Sequence, residues 1–304
     1  MPTPECPVCT SDAADPSFTK DGYSHYHCRE CDALYLHPVP SKNELSDYYV
    51  AQEETTRSSQ CWERDEQDYR HYEPIWDDAL REIERGAGRG PLLDVGCGGG
   101  QFLAFARRRG WKDLTGIEYA PGAAARAREQ SGATVHSVDF VASQLASGHY
   151  AGITMWNVIE HAPNPRAFID EVERLLRPSG VYVADCPNRR GVTMRVIGKD
   201  AYVVMPPEHL TYFSHRSLRR LLEGGGLKVS SLKSNTIYIN DWVRFLTKPR
   251  AEEEAREAHL SWYSRITSSA GFMRLIGVAN VVLNGLRLGD QMLVAARKRA
   301  DGDT

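Results

Sequence analysis

The chain has 304 residues, 41% hydrophobic and 25% charged, with a formal net charge of -3. That is the composition of a soluble globular protein with room for one large α/β domain and a small appendage. A sequence pI near 6.4 argues against a protein built to hold nucleic acid, which carries a clear excess of Lys and Arg. The opening MPTPECPVCT has no basic start followed by an apolar run, so no secretion signal is read. The longest mostly apolar stretch, Gly271 to Leu288, is broken by Arg274, Asn280, Asn284 and Arg287, which leaves no membrane span. These readings place the protein in the cytoplasm, where thiols stay reduced and paired cysteines point to metal more than to disulfides.

Four of the seven cysteines form two C-x2-C pairs, Cys6/Cys9 and Cys28/Cys31. Each pair aims two thiolates at one point, and two pairs complete a tetrahedron for a structural zinc ion. So short a segment buries little core, and the metal would substitute for one. Zinc binding in such peptides contributes on the order of 10–16 kcal/mol. His25 and His27 are read as surface histidines, and Cys61, Cys97 and Cys186 as small hydrophobes without assigned chemistry. The predicted division is a ribbon over 1–40, a helical linker over 41–85, and a large domain over 86–304 with a helical insertion at 241–287.

After Pro38 and Pro40, Ser41 and Glu44 fit a capping box for a helix carrying Leu45, Tyr48 and Tyr49. Residues 50–68 are polar and read as loop or loose helix, and Pro74 to Arg85 as a second helix. From Pro91, short apolar strands alternate with amphipathic helices, which predicts a doubly wound parallel sheet. The strands expected are Leu92–Val95, Leu114–Ile117, Thr134–Val138, Ile153–Trp156, Val181–Ala184, Leu227–Leu232 and Gln291–Ala296. Asn164 with Pro165 starts one helix, and Ser214 starts another. The insertion's aromatics Trp242, Phe245, Trp262 and Tyr263 suit a lid or a dimer face.

Ligands of such sheets bind beyond the carboxyl ends of the strands. Gly96 to Gly100, Glu118, Asp139 and Asn157 follow strands one to four in that order. Glycines let backbone approach a ligand. Glu118, 24 residues beyond Asp94, is placed for ribose hydroxyls, and Asp139 for an adenine amino group. Gln101 stands where a dinucleotide fingerprint needs its third glycine.

Leu-Asp-Val-Gly-Cys-Gly-Gly-Gly100 instead resembles motif I of class I S-adenosylmethionine-dependent methyltransferases. Leu114–Glu118, Asn157–His161 with Pro163-Asn-Pro165, and Leu175–Gly180 resemble that family's later motifs. The resemblance implies a Rossmann-like seven-stranded sheet and a cofactor site at Asp94, Gly96, Cys97, Gly98, Gly100, Glu118, Tyr119, Asp139, Phe140 and Asn157. With its four-cysteine ribbon, the chain is similar to a bacterial group that includes sugar and secondary-metabolite methyltransferases. That implies a small-molecule acceptor, methylated on oxygen or carbon, and leaves a homo-oligomer open.

Methyl transfer needs alignment and, for a hydroxyl or carbon acceptor, a base. Met205-Pro-Pro-Glu-His209-Leu-Thr-Tyr212 makes His209 the first candidate base, with His161 second, and leaves Glu208 either to orient His209 or to sit in solvent. Two rivals stand beside this reading. One is an RNA methyltransferase gripping nucleic acid with the ribbon, although the ribbon's only Lys and Arg within its knuckles are Lys20 and Arg29. The other is a cofactor-binding protein without catalysis.

Overall fold

The computed structural model describes residues 3–41, 44–45, 48, 69–247 and 281–299. Cys61, Tyr49, Trp262, Tyr263 and most of the expected insertion lie outside the described residues. The capping box at the linker's start forms: the Ser41 amide donates to Glu44 Oε2 (2.7 Å) and the Glu44 amide to Ser41 Oγ (3.3 Å).

The ribbon contributes β1 (Ala14–Lys20), β2 (Tyr23–Cys28) and β3 (Leu34–Leu36). Then follow α1 (Glu73–Ala87), β4 (Leu92–Val95), α2 (Gln101–Arg108), β5 (Leu114–Ile117), α3 (Pro121–Ser131) and β6 (Thr134–His136). Next come β7 (Tyr150–Trp156), α4 (Pro165–Leu175), β8 (Leu176–Pro187), α5 (Val192–Val196), β9 (Thr211–Tyr212) and α6 (His215–Gly224). The chain closes with β10 (Leu227–Asn235), α7 (Ile239–Thr247) and β11 (Gln291–Lys298).

The large sheet runs β10-β11-β8-β7-β4-β5-β6. Strands β6, β5, β4, β7 and β8 pair in parallel, and β11 enters antiparallel between β8 and β10. This is the doubly wound seven-stranded sheet of class I methyltransferases. Its period-two pattern sorts side chains onto two faces. Leu93, Tyr182 and Ala184 join one core cluster, while Leu92, Val181 and Val183 join the other. Strand β6 stops at His136 rather than Val138, so Asp139 follows it at a short remove.

Helix ends follow local chemistry. Asn164 Oδ1 accepts from the Ala167 amide (3.2 Å) with Pro165 in the first turn of α4, and Ser214 caps α6 in a box with Ser217. Helix α6 then buries Leu218, Leu221 and Leu222, each stabilised by roughly 1.5–3 kcal/mol of removal from water.

A second, four-stranded sheet has the order β1-β2-β3-β9. Its last strand is lent by the large domain: Leu34 pairs with Tyr212 and Tyr35 with Thr211. The ribbon residues Cys6, Val8, Cys28, Cys31, Ala33 and Tyr35 belong to the same apolar cluster as Leu93 and Tyr182. His25 corrects the expectation of a surface histidine. It is buried, stacked on Phe18 at 4.4 Å between centroids and 5.7 Å from Tyr212, because β9 covers this face of the ribbon. His27 stays half-buried, with Nε2 3.0 Å from Asp32 Oδ1.

Candidate functional site

The loop after β4 is shaped by glycines at positive φ, Gly96 (+68°), Gly98 (+52°) and Gly100 (+87°). At Gly96 an added Cβ would sit 2.6 Å from Val158 Cγ2, and at Gly100 2.8 Å from the Ala127 Cα. So the loop after β7 and helix α3 both close on this backbone, and only glycine permits the approach. Glu118, beyond β5, reaches back into the loop. Its Oε2 accepts from the Gly98 amide and its Oε1 from the Ala120 amide, both at 2.9 Å. Each carboxylate oxygen keeps acceptor capacity for a ligand hydroxyl.

Asp94 lies fully inside, where its Oδ1 accepts from Thr154 Oγ1 (2.7 Å) and burial pushes its pKa up to about 8. Cys97 is buried with its sulfur against the Gly116 position, which leaves backbone as its means of touching a ligand. Asp139 accepts from the Val141 amide (3.1 Å) and caps a short turn. Phe140 turns inward against Phe168 at 5.3 Å, while Tyr119 is exposed at the rim. Asn157 adopts φ +52°. Its amide donates to Asp185 Oδ1 (2.8 Å), and Gln291 Nε2 donates to Asn157 Oδ1 (2.8 Å) and Asp185 Oδ2 (3.1 Å). Burial raises the Asp185 carboxyl to about 6.

The candidate base segment meets the turn after β7. His161 and His209 pack edge to face at 4.7 Å between centroids. His161 Nδ1 lies 2.9 Å from the Glu208 carbonyl oxygen, and since a carbonyl only accepts, that nitrogen carries the proton. Backbone joins the two segments as well, the Leu210 amide donating to the Glu160 carbonyl (2.9 Å). His209 is 6% exposed, and burial lowers its pKa to about 3. The linker helix reaches this point, Tyr48 OH donating to Glu208 Oε2 (3.2 Å).

Glu160, Asp185, Gln291 and Tyr48 were not singled out from sequence. Asp185 had a signal, a carboxylate at the end of an apolar strand, and Glu160 sits inside a recognised motif. Gln291 and Tyr48 have no local signal, because only the fold brings them here.

At the ribbon, the sulfurs of Cys6 and Cys31 lie 3.5 Å apart and those of Cys9 and Cys28 3.6 Å. All four converge within 4.8 Å as free thiols. Such spacings match the edge of a tetrahedron with metal–sulfur bonds of about 2.3 Å, so the cluster fits a zinc ribbon. The neighbouring Asp32 holds it to the large domain, accepting from Arg190 Nε (2.9 Å) and from Arg189. Among the described residues, no helix is long and apolar enough to cross a membrane.

Residues 67–232, more than half of the chain, match the methyltransferase domain family. The ubiquinone biosynthesis O-methyltransferase of Psychrobacter cryohalolentis is 35% identical over 120 residues, covering 37% of this chain and 46% of that protein. The enzyme of that name from Actinobacillus pleuropneumoniae is 30% identical over 147 residues, covering 44% and 62%. The matched stretch thus spans about half the length of these curated relatives. Among solved structures, an S-adenosylmethionine-dependent methyltransferase from Archaeoglobus fulgidus superposes with a TM-score of 0.50 at 19% identity, covering 83% of this chain and all of that one. The [4+2]-cyclase SpnF superposes equally, with a TM-score of 0.50 at 18% identity over 75% of this chain and 82% of its own. These likenesses concern the fold alone, and the second shows that this fold also hosts other chemistry. The family match and the glycine loop together decide the assignment: the chain belongs to the methyltransferase domain family of S-adenosylmethionine-dependent enzymes.

Proposed function

We propose that this protein transfers a methyl group to an oxygen or carbon of a small molecule, a sugar or other specialised metabolite. The observation that carries the cofactor half is the Glu118 carboxylate held against the Gly98 amide at the mouth of the glycine loop. S-adenosylmethionine supplies a methyl group activated on a sulfonium. Around it we assign the ribose hydroxyls to Glu118, the adenine amino group to Asp139, and the methionine portion to the Gly96–Gly100 backbone and Asn157. The zinc ribbon (1–40) and the helical linker (41–85) serve the transfer domain (86–304) as supports for its acceptor side. Oxygen methylation has separate support in the names of the curated relatives.

At the acceptor side the proton of a hydroxyl or carbon acid is taken at the His209–His161 pair. Burial keeps both imidazoles neutral, and a neutral ring is the one with a lone pair to offer. Glu208 orients the pair through its carbonyl bond to His161. His209→Ala should lower kcat by about 10²–10⁴, the usual range for positioned acid–base catalysis. A loss below about tenfold at unchanged cofactor affinity would remove His209 from this role.

The test of the cofactor half is calorimetric titration of the protein with S-adenosylmethionine, with Glu118→Ala in parallel. We expect micromolar binding that weakens by about 100-fold in the variant, from two lost charge-assisted hydrogen bonds of roughly 1.5 kcal/mol each. No binding by folded, zinc-loaded protein would overturn the proposal.

A further inference from the structure

The acceptor side holds an arrangement that a simple base does not need. Glu160 is 1% exposed, yet among the described residues neither of its carboxyl oxygens has a partner on another residue. A buried carboxyl left without partners costs several kcal/mol in general, and such groups call for an explanation. Around it stand the two imidazoles. His161 Nε2 lies 4.0 Å from Glu160 Oε1. One ligand atom each from Glu160, His161 and His209 falls within 4.8 Å of the others. The Glu208 carbonyl fixes the proton of His161 on Nδ1, which leaves the lone pair on Nε2. A backbone carbonyl on the far nitrogen is the usual way of orienting a metal-ligating histidine. His209 Nδ1 is likewise buried without a partner.

From these converging atoms we infer that Glu160, His161 and His209 form a binding site for one divalent transition-metal cation, distinct from the four-sulfur ribbon. The inference rests on the methyl-transfer reading above and gives the two histidines a cation to hold in place of the acceptor's proton. Two neutral imidazoles and one carboxylate leave a single negative charge, suited to a dication of the Mn²⁺, Fe²⁺, Co²⁺ or Zn²⁺ type more than to Mg²⁺ or Ca²⁺. Bonds of about 2.0–2.2 Å to each ligand bring the three atoms roughly 3.0–3.5 Å apart, a closure by small side-chain rotations. Three protein ligands leave open positions, the pattern of catalytic rather than structural sites.

The two histidines then act on the acceptor through the cation. A hydroxyl bound there is a stronger acid and loses its proton to water. Its oxygen forms the new bond to the methyl carbon. The carbon–sulfur bond breaks with its electron pair on sulfur, so the sulfonium becomes a neutral thioether.

Mn²⁺ is the probe of choice, because the thiolates of the ribbon select zinc over it. The zinc-loaded full chain is titrated with Mn²⁺, following the free-ion signal by electron paramagnetic resonance. Expected is one saturable Mn²⁺ per chain, weakened at least about tenfold in Glu160→Gln and in His209→Gln. Pulsed measurement on the unmodified protein should show imidazole nitrogen coupled to the bound ion, which needs no variant to fold. Absence of saturable binding, absence of nitrogen coupling, or unchanged affinity in folded Glu160→Gln would each overturn the site. S-adenosylmethionine titrated into the same samples keeps the two readings apart. Cofactor binding without Mn²⁺ binding removes only the metal, whereas failure of cofactor binding in the unmodified protein removes the methyl-transfer reading itself.

Discussion

Around Gly96–Gly100 the groups we assign to the cofactor are mainly backbone, supported largely from nearby chain: Glu118 bonds Gly98 and Ala127 closes on Gly100, with Val158 the more distant neighbour of Gly96. Around His209 the partners come from far apart in the chain, with Tyr48 on Glu208 and the Glu208 carbonyl on His161. The ribbon's strand pairing and backbone hydrogen bonds go to the second region. Strand β3 pairs with β9, the Leu36 amide donates to the Leu210 carbonyl (2.9 Å), and Lys20 Nζ to the Val204 carbonyl (2.5 Å). The difference teaches that one end of the sheet is a self-contained cradle, while the other depends on parts of the chain that must first find each other.

Removing the metal from the ribbon should separate the two regions most sharply. Structural zinc contributes on the order of 10 kcal/mol to such modules. Chelation, or Cys28→Ser, should unfold the ribbon and free its borrowed strand. Hydrogen exchange should then lose protection at residues 208–213 and methyl transfer should fail. S-adenosylmethionine affinity should change by less than about threefold, since Glu118 and the glycine loop bond one another within the large domain. A parallel loss of cofactor binding would break the comparison.

Gly100→Ala probes the cradle instead. The φ of +87° and the 2.8 Å approach of the Ala127 Cα predict a cost of about 1–3 kcal/mol. A thermal melt should show a Tm lower by several degrees, with S-adenosylmethionine binding weakened as well. An unchanged melting curve would mean that helix α3 yields easily and the cradle is softer than its geometry implies.

The smallest effect concerns pH. Burial raises the Asp94 carboxyl from 3.8 to about 8, so between those values the unfolded chain has lost a proton that the folded one keeps. Stability from this group is therefore full below about pH 4 and fades as pH rises toward 8. Asp94→Asn removes the titration. The difference in Tm between the variant and the unmodified protein should move in the variant's favour as pH increases across that window. A constant difference would show that Asp94 is ionised in the fold.

Much of the cradle was legible before any coordinates because its determinants are local. Strand ends, the glycine run and the acidic residue after each strand are consecutive in the chain, and a period-two pattern already assigns faces. The β8 and β10 ends ran longer than expected because their final residues pair with β11, a strand distant in sequence. His25 was misread for a related reason. Nothing in its neighbourhood says that Tyr212 covers it. Glu160 was quoted as part of a motif, but its lack of a partner on another residue is a property of packing and has no trace in composition.

The borrowed strand also bears on how the chain is made. Residue 35 leaves the ribosome long before residue 211, its partner in the sheet. Until then β3 has an open edge, the kind of surface that recruits unwanted strands. Metal capture by the four cysteines can precede that pairing, since all four lie within the first 31 positions. The ribbon would then wait as a metal-clasped hairpin through most of synthesis, and its sheet would close only as the acceptor side takes shape.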